Sequence, residues 1–154
     1  MNQNTQRLMF SSGSGNWTTP QDFYDKLDQE FNFTLDPCCT PGTAKCKNYY
    51  TESDDGLSKS WGGHTVFMNP PYGRGIKHWI RKAYEESLKP DTVVVVLIPS
   101  RTDTKYWHDY CMKASSIRFV KGRLKFGNSR NSAPFPSVVL VFGEKSMPTI
   151  STIN

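Results

Sequence analysis

An α/β sheet covered by helices on both faces is the fold this sequence predicts. Apolar strand-like runs alternate along the chain with segments of helical periodicity. One of those runs, residues 92–98, is almost wholly β-branched and unbroken by polar side chains, as a parallel strand buried on both faces requires. The third observation is size: 154 residues, 36% of them hydrophobic, make one domain and leave little room for a second. The domain is expected over residues 17–145, after a flexible lead-in over 1–16 that contains Ser11-Ser-Gly-Ser-Gly15 and before a tail over 146–154.

The elements follow in order. Thr19, Pro20 and Asp22 make a helix start, with a side-chain cap, Pro at the first helical position and an acid near the positive end of the dipole. Phe23, Leu27 and Phe31 then recur every four residues as one buried face. Residues 33–37 read as a short strand stopped by Pro37, and a second short strand falls within 46–51. The apolar strand 65–68 ends abruptly at Asn69-Pro-Pro-Tyr72. Ile76, Trp79, Ile80, Ala83, Tyr84 and Leu88 give the clearest amphipathic helix, ended by Pro90. After the strand 92–98 and Pro99, a helix is expected through Trp107, Tyr110, Cys111 and Ala114, then strands at 117–120 and 137–142. A polar, basic loop over 122–136 joins these last two.

Composition narrows the function. The longest apolar run, 93–98, is far short of the roughly 20 residues that cross a bilayer, so no membrane partner is expected. The first residues lack a secretory pattern, which makes a cytoplasmic, reducing compartment the default. The cysteines at 38, 39, 46 and 111 are expected as free thiols, because adjacent cysteines suit a disulfide framework poorly. A zinc site from Cys38, Cys46 and His64 lacks any Cys-x-x-Cys pair, and no metal is expected. Net charge is +5, but unevenly spread: residues 1–73 carry 5 basic and 8 acidic side chains, residues 74–154 carry 14 basic and 6 acidic. A basic second half suits a polyanion.

In such sheets ligands bind beyond the carboxyl ends of the strands, here after Leu35, Met68 and Ile98. Two successive prolines in Asn69-Pro70-Pro71-Tyr72 remove backbone donors and stiffen the loop, leaving carbonyls aimed outward as acceptors. The Asn69 amide oxygen adds another acceptor, and Tyr72 offers a flat face for a heterocycle. Such acceptors can grip both hydrogens of a planar amino group and favour localisation of its lone pair, the obstacle to its acting as a nucleophile. An electrophilic methyl group on a sulfonium, as in S-adenosylmethionine, is the donor that this chemistry needs.

The series Trp17-Thr-Thr-Pro20, Phe33-Thr-Leu-Asp-Pro-Cys38, Ala44-Lys-Cys46, Tyr49-Tyr-Thr51, Asp55-Gly-Leu57, Trp61, Asn69-Pro-Pro-Tyr72, Trp79, Pro99-Ser-Arg-Thr-Asp-Thr104 and Gly122-Arg-Leu124 resembles the small phage-type DNA adenine-N6 methyltransferases of the Dam family, over about residues 17–142. The resemblance implies an abbreviated Rossmann-like, S-adenosylmethionine-dependent methyltransferase sheet. It implies a catalytic loop of Asn69, Pro70, Pro71 and Tyr72, with Tyr72 stacked on the target adenine. Asp36 and Pro37 match the cofactor motif, Asp36 holding the methionine ammonium. Trp17, Thr19 and Pro20 match the segment that closes over the cofactor, and Asp54 or Asp55 is the place for a carboxylate on the ribose hydroxyls. One departure stands out: in place of a glycine-rich turn after the first strand the chain has Asp36-Pro-Cys-Cys-Thr-Pro-Gly42. Only 33 positions separate Asp36 from Asn69, which calls for a trimmed sheet.

A paired adenine must leave the duplex to reach such a pocket, at a few kcal/mol. Backbone contacts to double-stranded DNA are expected from Arg118, Lys121, Arg123, Lys125 and Arg130, a run without an intervening acid, helped by Arg74, Lys77 and Arg101. Asn128, Ser129 and Asn131 could reach base edges. The family suggests a short site such as GATC, a bacterial host cell and a role in protection from restriction; monomer and homodimer both stay open. Methylation of an RNA adenine or a protein glutamine amide, or nucleic-acid binding without catalysis, are the alternatives.

Overall fold

A computed structural model describes residues 18–154; Trp17 and the lead-in over 1–16 lie outside them. The elements run α1 (Gln21–Phe31), β1 (Leu35–Asp36), β2 (Asn48–Tyr49), β3 (Thr65–Met68), α2 (Ile76–Ser87), β4 (Val93–Pro99), α3 (Lys105–Asp109), β5 (Ser116–Val120), β6 (Ser137–Phe142) and β7 (Thr149–Ile153). Single 3-10 turns occupy Glu52–Asp54, Gly56–Ser58 and Cys111–Lys113. The strands form one seven-stranded sheet in the order β2-β1-β3-β4-β6-β5-β7. β2, β1, β3 and β4 are parallel; β6 runs antiparallel to both β4 and β5, and β7 is parallel to β5.

Helices cover both faces, as expected. Alternate residues of β3 and β4 divide between two cores: Val66, Met68, Val94, Val96 and Ile98 pack with Ile76, Trp79 and Ile80 of α2 and Trp107 of α3. On the opposite face Phe67, Val95 and Leu97 pack with Phe23, Tyr24 and Leu27 of α1 and with Phe126 and Phe135 from the loop before β6. The basic loop is therefore anchored by buried aromatic side chains. Between β1 and β3 the chain makes only β2 and two 3-10 turns, with no α-helix, so the sheet is abbreviated on this side.

Three elements differ from the sequence reading. Pro20, with φ −54° and ψ 133°, precedes the first helical residue, Gln21, and no side chain caps α1. Thr19 instead turns inward, for a reason given below. The helix expected through Ala114 leaves α-geometry at Tyr110 (φ −128°) and tightens into the turn Cys111–Lys113, which brings Ser115 under the Val141 carbonyl at 2.8 Å as β5 begins. The segment 146–154, expected as a tail, supplies β7, paired with β5 from Ser116↔Thr149 to Val120↔Ile153. The five residues of β7 are almost all exposed and only two are apolar, so the strand gives no hydrophobic signature; the β5 backbone recruits it.

Candidate active site

Parallel strands end at one edge of the sheet, and this edge carries a cleft of about 720 Å³ between the ends of β1 and β3. Its wall is built from Thr18 and Thr19 before α1, Asp36 at the end of β1, the following loop as far as Lys45, Thr51–Ser53 beyond β2, and Phe67 with Asn69, Pro70 and Pro71 from β3.

Asp36 is 4% exposed and accepts the backbone N–H of Lys45 at 3.1 Å and of Cys38 at 3.4 Å. Burial outweighs these bonds and pushes its carboxyl up to about 6. The loop that replaces a glycine-rich turn thus brings two amides onto one carboxylate. Pro37 has its carbonyl packed against Gly56, where a Cβ would come within 2.1 Å of the oxygen. Cys38 and Cys39 line the cleft, and burial raises both thiols, which keeps them protonated.

Beyond β2 the chain bends through Glu52–Asp54. Asp54 closes this turn: its Oδ2 accepts the Thr51 N–H at 2.8 Å and the Thr51 hydroxyl at 3.0 Å, and these bonds hold its carboxyl below the ordinary range. Asp55 takes a left-handed conformation (φ 55°) between the two 3-10 turns. Glu52, one residue past the cap, is the carboxylate of this trio that reaches the cleft. The sequence points to Asp54 and Asp55 in this stretch; the position beyond the carboxyl end of β2 marks the stretch but does not choose Glu52 within it.

Asn69 follows β3 directly. Its Nδ2 donates to Thr19 Oγ1 at 3.0 Å, and its Oδ1 accepts the Tyr72 hydroxyl at 2.7 Å. The Asn69 carbonyl receives the Cys38 thiol at 3.7 Å. Tyr72 stands nearly perpendicular to Phe126 and Phe135, with centroids 6.2 and 5.5 Å away, and burial pushes its phenol well up. The loop therefore meets the α1 side of the cleft through Asn69 and the basic loop through Tyr72. Pro20 is partly buried at the start of α1 and outside the cleft wall.

The basic candidates fall into different environments. Arg74, Lys77, Lys121, Lys125 and Arg130 are exposed. Arg101, also exposed, lies with its guanidinium 6.0 Å from the Phe135 ring, and Arg123 Nη1 donates to the Ala133 carbonyl at 3.2 Å within the basic loop. Arg118 is different: it makes a two-pronged ion pair with Glu30, both bonds 2.7 Å, and lies over Phe31. Its charge is matched within the fold. Among the described residues no cluster of His, Cys, Asp and Glu is arranged to hold a metal, and no helix is long and apolar enough to cross a membrane.

Comparison with known proteins points to one family. A family model described as DNA N-6-adenine-methyltransferase (Dam) matches residues 9–154. A protein of Haemophilus phage HP1 (strain HP1c1), named DNA N-6-adenine-methyltransferase, is 32% identical over 117 residues, which cover 73% of this chain and 66% of the phage protein. The chain thus spans just under two thirds of that relative's length.

Proposed function

The chain belongs to the DNA N-6-adenine-methyltransferase family, and from that premise we propose that it transfers a methyl group from S-adenosylmethionine to the exocyclic N6 of adenine in double-stranded DNA. The observation that carries this reading is the placement of Asn69 at the end of β3, its amide held by Thr19 and Tyr72, beside a cleft containing a buried carboxylate.

The residues present fit the cofactor. A cleft of about 720 Å³ is within the size range of small-molecule sites. Asp36, buried and raised to about 6, gains a counter-charge if it receives the methionine ammonium, and Glu52 can accept from the ribose hydroxyls. When bound, S-adenosylmethionine supplies a methyl group on a sulfonium, an electrophile that needs no metal. Thr18 and Thr19 close the cleft on the α1 side.

The amine is handled by the loop. We assign one amine hydrogen to Asn69 Oδ1, an oxygen with a second acceptor direction besides the one that the Tyr72 hydroxyl uses. The Pro70 carbonyl accepts the second hydrogen, since the Asn69 carbonyl already faces Cys38. Two fixed acceptors hold the nitrogen lone pair out of the ring and toward the methyl group, which lowers the barrier by positioning and electrostatics. No strong base is needed, because the amine becomes acidic on methylation and then sheds its proton. Tyr72 stacks on the extruded adenine, and Arg74, Lys77, Arg101 and the loop 121–130 hold the phosphates around it.

The target is a short site such as GATC, read by the loops beside the cleft, and the setting is a phage-infected bacterial cytoplasm in which the mark protects DNA from restriction. The test is to incubate the purified protein with labelled S-adenosylmethionine and duplex DNA, RNA or protein, alongside Asn69→Ala. Label recovered as N6-methyladenine in DNA and lost in the variant is expected. Transfer to RNA or protein alone, or to no acceptor while DNA still binds, overturns the reading. Resistance of host DNA to a methylation-sensitive nuclease identifies the site.

A further inference from the structure

Thr19 is 4% exposed and stands at the foot of α1, where the sequence leads one to expect a helix cap or a cofactor contact. It caps nothing; its hydroxyl oxygen accepts the Asn69 side-chain N–H across 50 residues of sequence. The oxygen and nitrogen of an amide are nearly equal in size, so packing cannot choose between the two orientations of Asn69, and only its partners can. The difference matters for the reaction: flipped, Asn69 would present N–H donors to an amine that is itself a donor.

Thr19 and Tyr72 choose in the same sense. A phenol oxygen accepts weakly because its lone pair is drawn into the ring, so Tyr72 is best used as a donor to Oδ1. An aliphatic hydroxyl accepts readily, so Thr19 suits Nδ2. The segment bearing Thr19 is pinned on both sides, since the Thr18 carbonyl accepts the Gly127 N–H at 2.8 Å and the Pro20 carbonyl accepts the Tyr24 N–H at 3.0 Å. Thr19 is therefore a fixed acceptor rather than a mobile one.

We propose that Thr19 is a positioning residue for methyl transfer: it acts through Asn69, locking the amide with Oδ1 toward the incoming amine. The inference rests on the adenine-methyltransferase reading and gives the hydroxyl of Thr19, which also lines the cleft, a role on the acceptor side of the reaction.

The test compares the wild type with Thr19→Val, which keeps the shape and loses the acceptor, and Thr19→Ser, which keeps the hydroxyl. Single-turnover methyl transfer to duplex DNA is measured with DNA and cofactor saturating, and S-adenosylmethionine affinity is measured separately by calorimetry. Thr19→Val is expected to slow transfer about 10- to 100-fold with the cofactor Kd changed less than about threefold, and Thr19→Ser to restore the rate to within about threefold of wild type. Intact cofactor affinity also reports that the variant is folded. An unchanged rate in Thr19→Val overturns the inference, as does a loss that tracks a weakened cofactor Kd or is equally deep in Thr19→Ser. If the wild type itself transfers nothing to DNA, the underlying reading fails and the inference with it; wild-type transfer with an equally fast Thr19→Val sinks the inference alone.

Discussion

Asp36 shows how one side chain can work against stability, a cost that the proposed function sets against cofactor binding. Its carboxyl is raised from an ordinary 3.8 to about 6, first by burial, with the backbone N–H groups of Lys45 and Cys38 opposing. Between these two values the folded chain holds more of this proton than the unfolded chain does, so its contribution to stability falls as pH rises through that window. Asp36→Asn has no such proton to lose. Between pH 4 and pH 7 the wild type is expected to lose roughly 2–3 kcal/mol relative to Asp36→Asn, read from urea unfolding at a series of pH values without cofactor. Parallel stability profiles for the two proteins would refute the assignment. A bound ammonium stabilises the charged form, so saturating S-adenosylmethionine should flatten the wild-type slope, whereas Asp36→Asn should bind the cofactor at least tenfold more weakly, about 1.4 kcal/mol. Asp36 was legible in the sequence because it ends a strand and precedes Pro37. Glu52 was not: three acids fall within four residues, and which one faces the cleft depends on Thr51 drawing Asp54 back into a cap.

At the scale of elements, the abbreviated side of the sheet is braced by packing in place of a missing helix. β1 and β2 are two residues each, so backbone pairing alone holds them weakly. The turn Gly56–Ser58 lies against Pro37, just past β1, and against α2: the Gly56 carbonyl accepts the Trp61 indole N–H at 3.0 Å, and Trp61 stacks on Trp79 of α2 with centroids 6.3 Å apart. A side chain at Gly56 would meet the Pro37 carbonyl at 2.1 Å, a clash with backbone that only displacement of the turn relieves. Gly56→Ala is expected to destabilise the fold by about 1–3 kcal/mol and to weaken cofactor binding more than DNA binding, since the turn beside Asp36 moves first. Calorimetric unfolding and separate titrations of the two ligands check this; equal weakening of both would mean global loosening instead. The same packing explains which elements the sequence displayed. β3 and β6 matched their expected bounds because each is an uninterrupted apolar run between polar ends. β1 and β2 were legible as positions but too short for a periodicity, and β7 has exposed polar residues at most positions. Thr19 and Pro20 carry every mark of a helix start, yet the tertiary bond to Asn69 takes the hydroxyl that the cap would have used.

Across the whole molecule, charge is distributed about the catalytic loop. The acidic half, residues 1–73, builds most of the cleft wall, with Asp36 and Glu52 on it, a balance of charge that suits the cationic cofactor proposed above. The basic half contributes α2, the end of β4 and the loop 121–136, which lies against the loop bearing Asn69 through Phe126, Phe135 and Tyr72. Basic residues in one run of sequence are nevertheless unequal. Lys125 is exposed on the loop, whereas Arg118 is tied to Glu30 on the face covered by α1. Each phosphate contact by a cation releases counterions and adds roughly 0.9 to the slope of log affinity against log salt. Lys125→Ala should therefore weaken binding to every duplex sequence and lower that slope by about 1, with site preference kept. Arg118→Ala should leave the slope unchanged and instead lower the unfolding temperature, because it strips a partner from Glu30 and uncovers Phe31. The measurement is duplex binding across a salt series for wild type and both variants. A reduced slope in Arg118→Ala would show that its ion pair opens onto DNA, and a changed site preference in Lys125→Ala without a changed slope would make Lys125 a reader of bases.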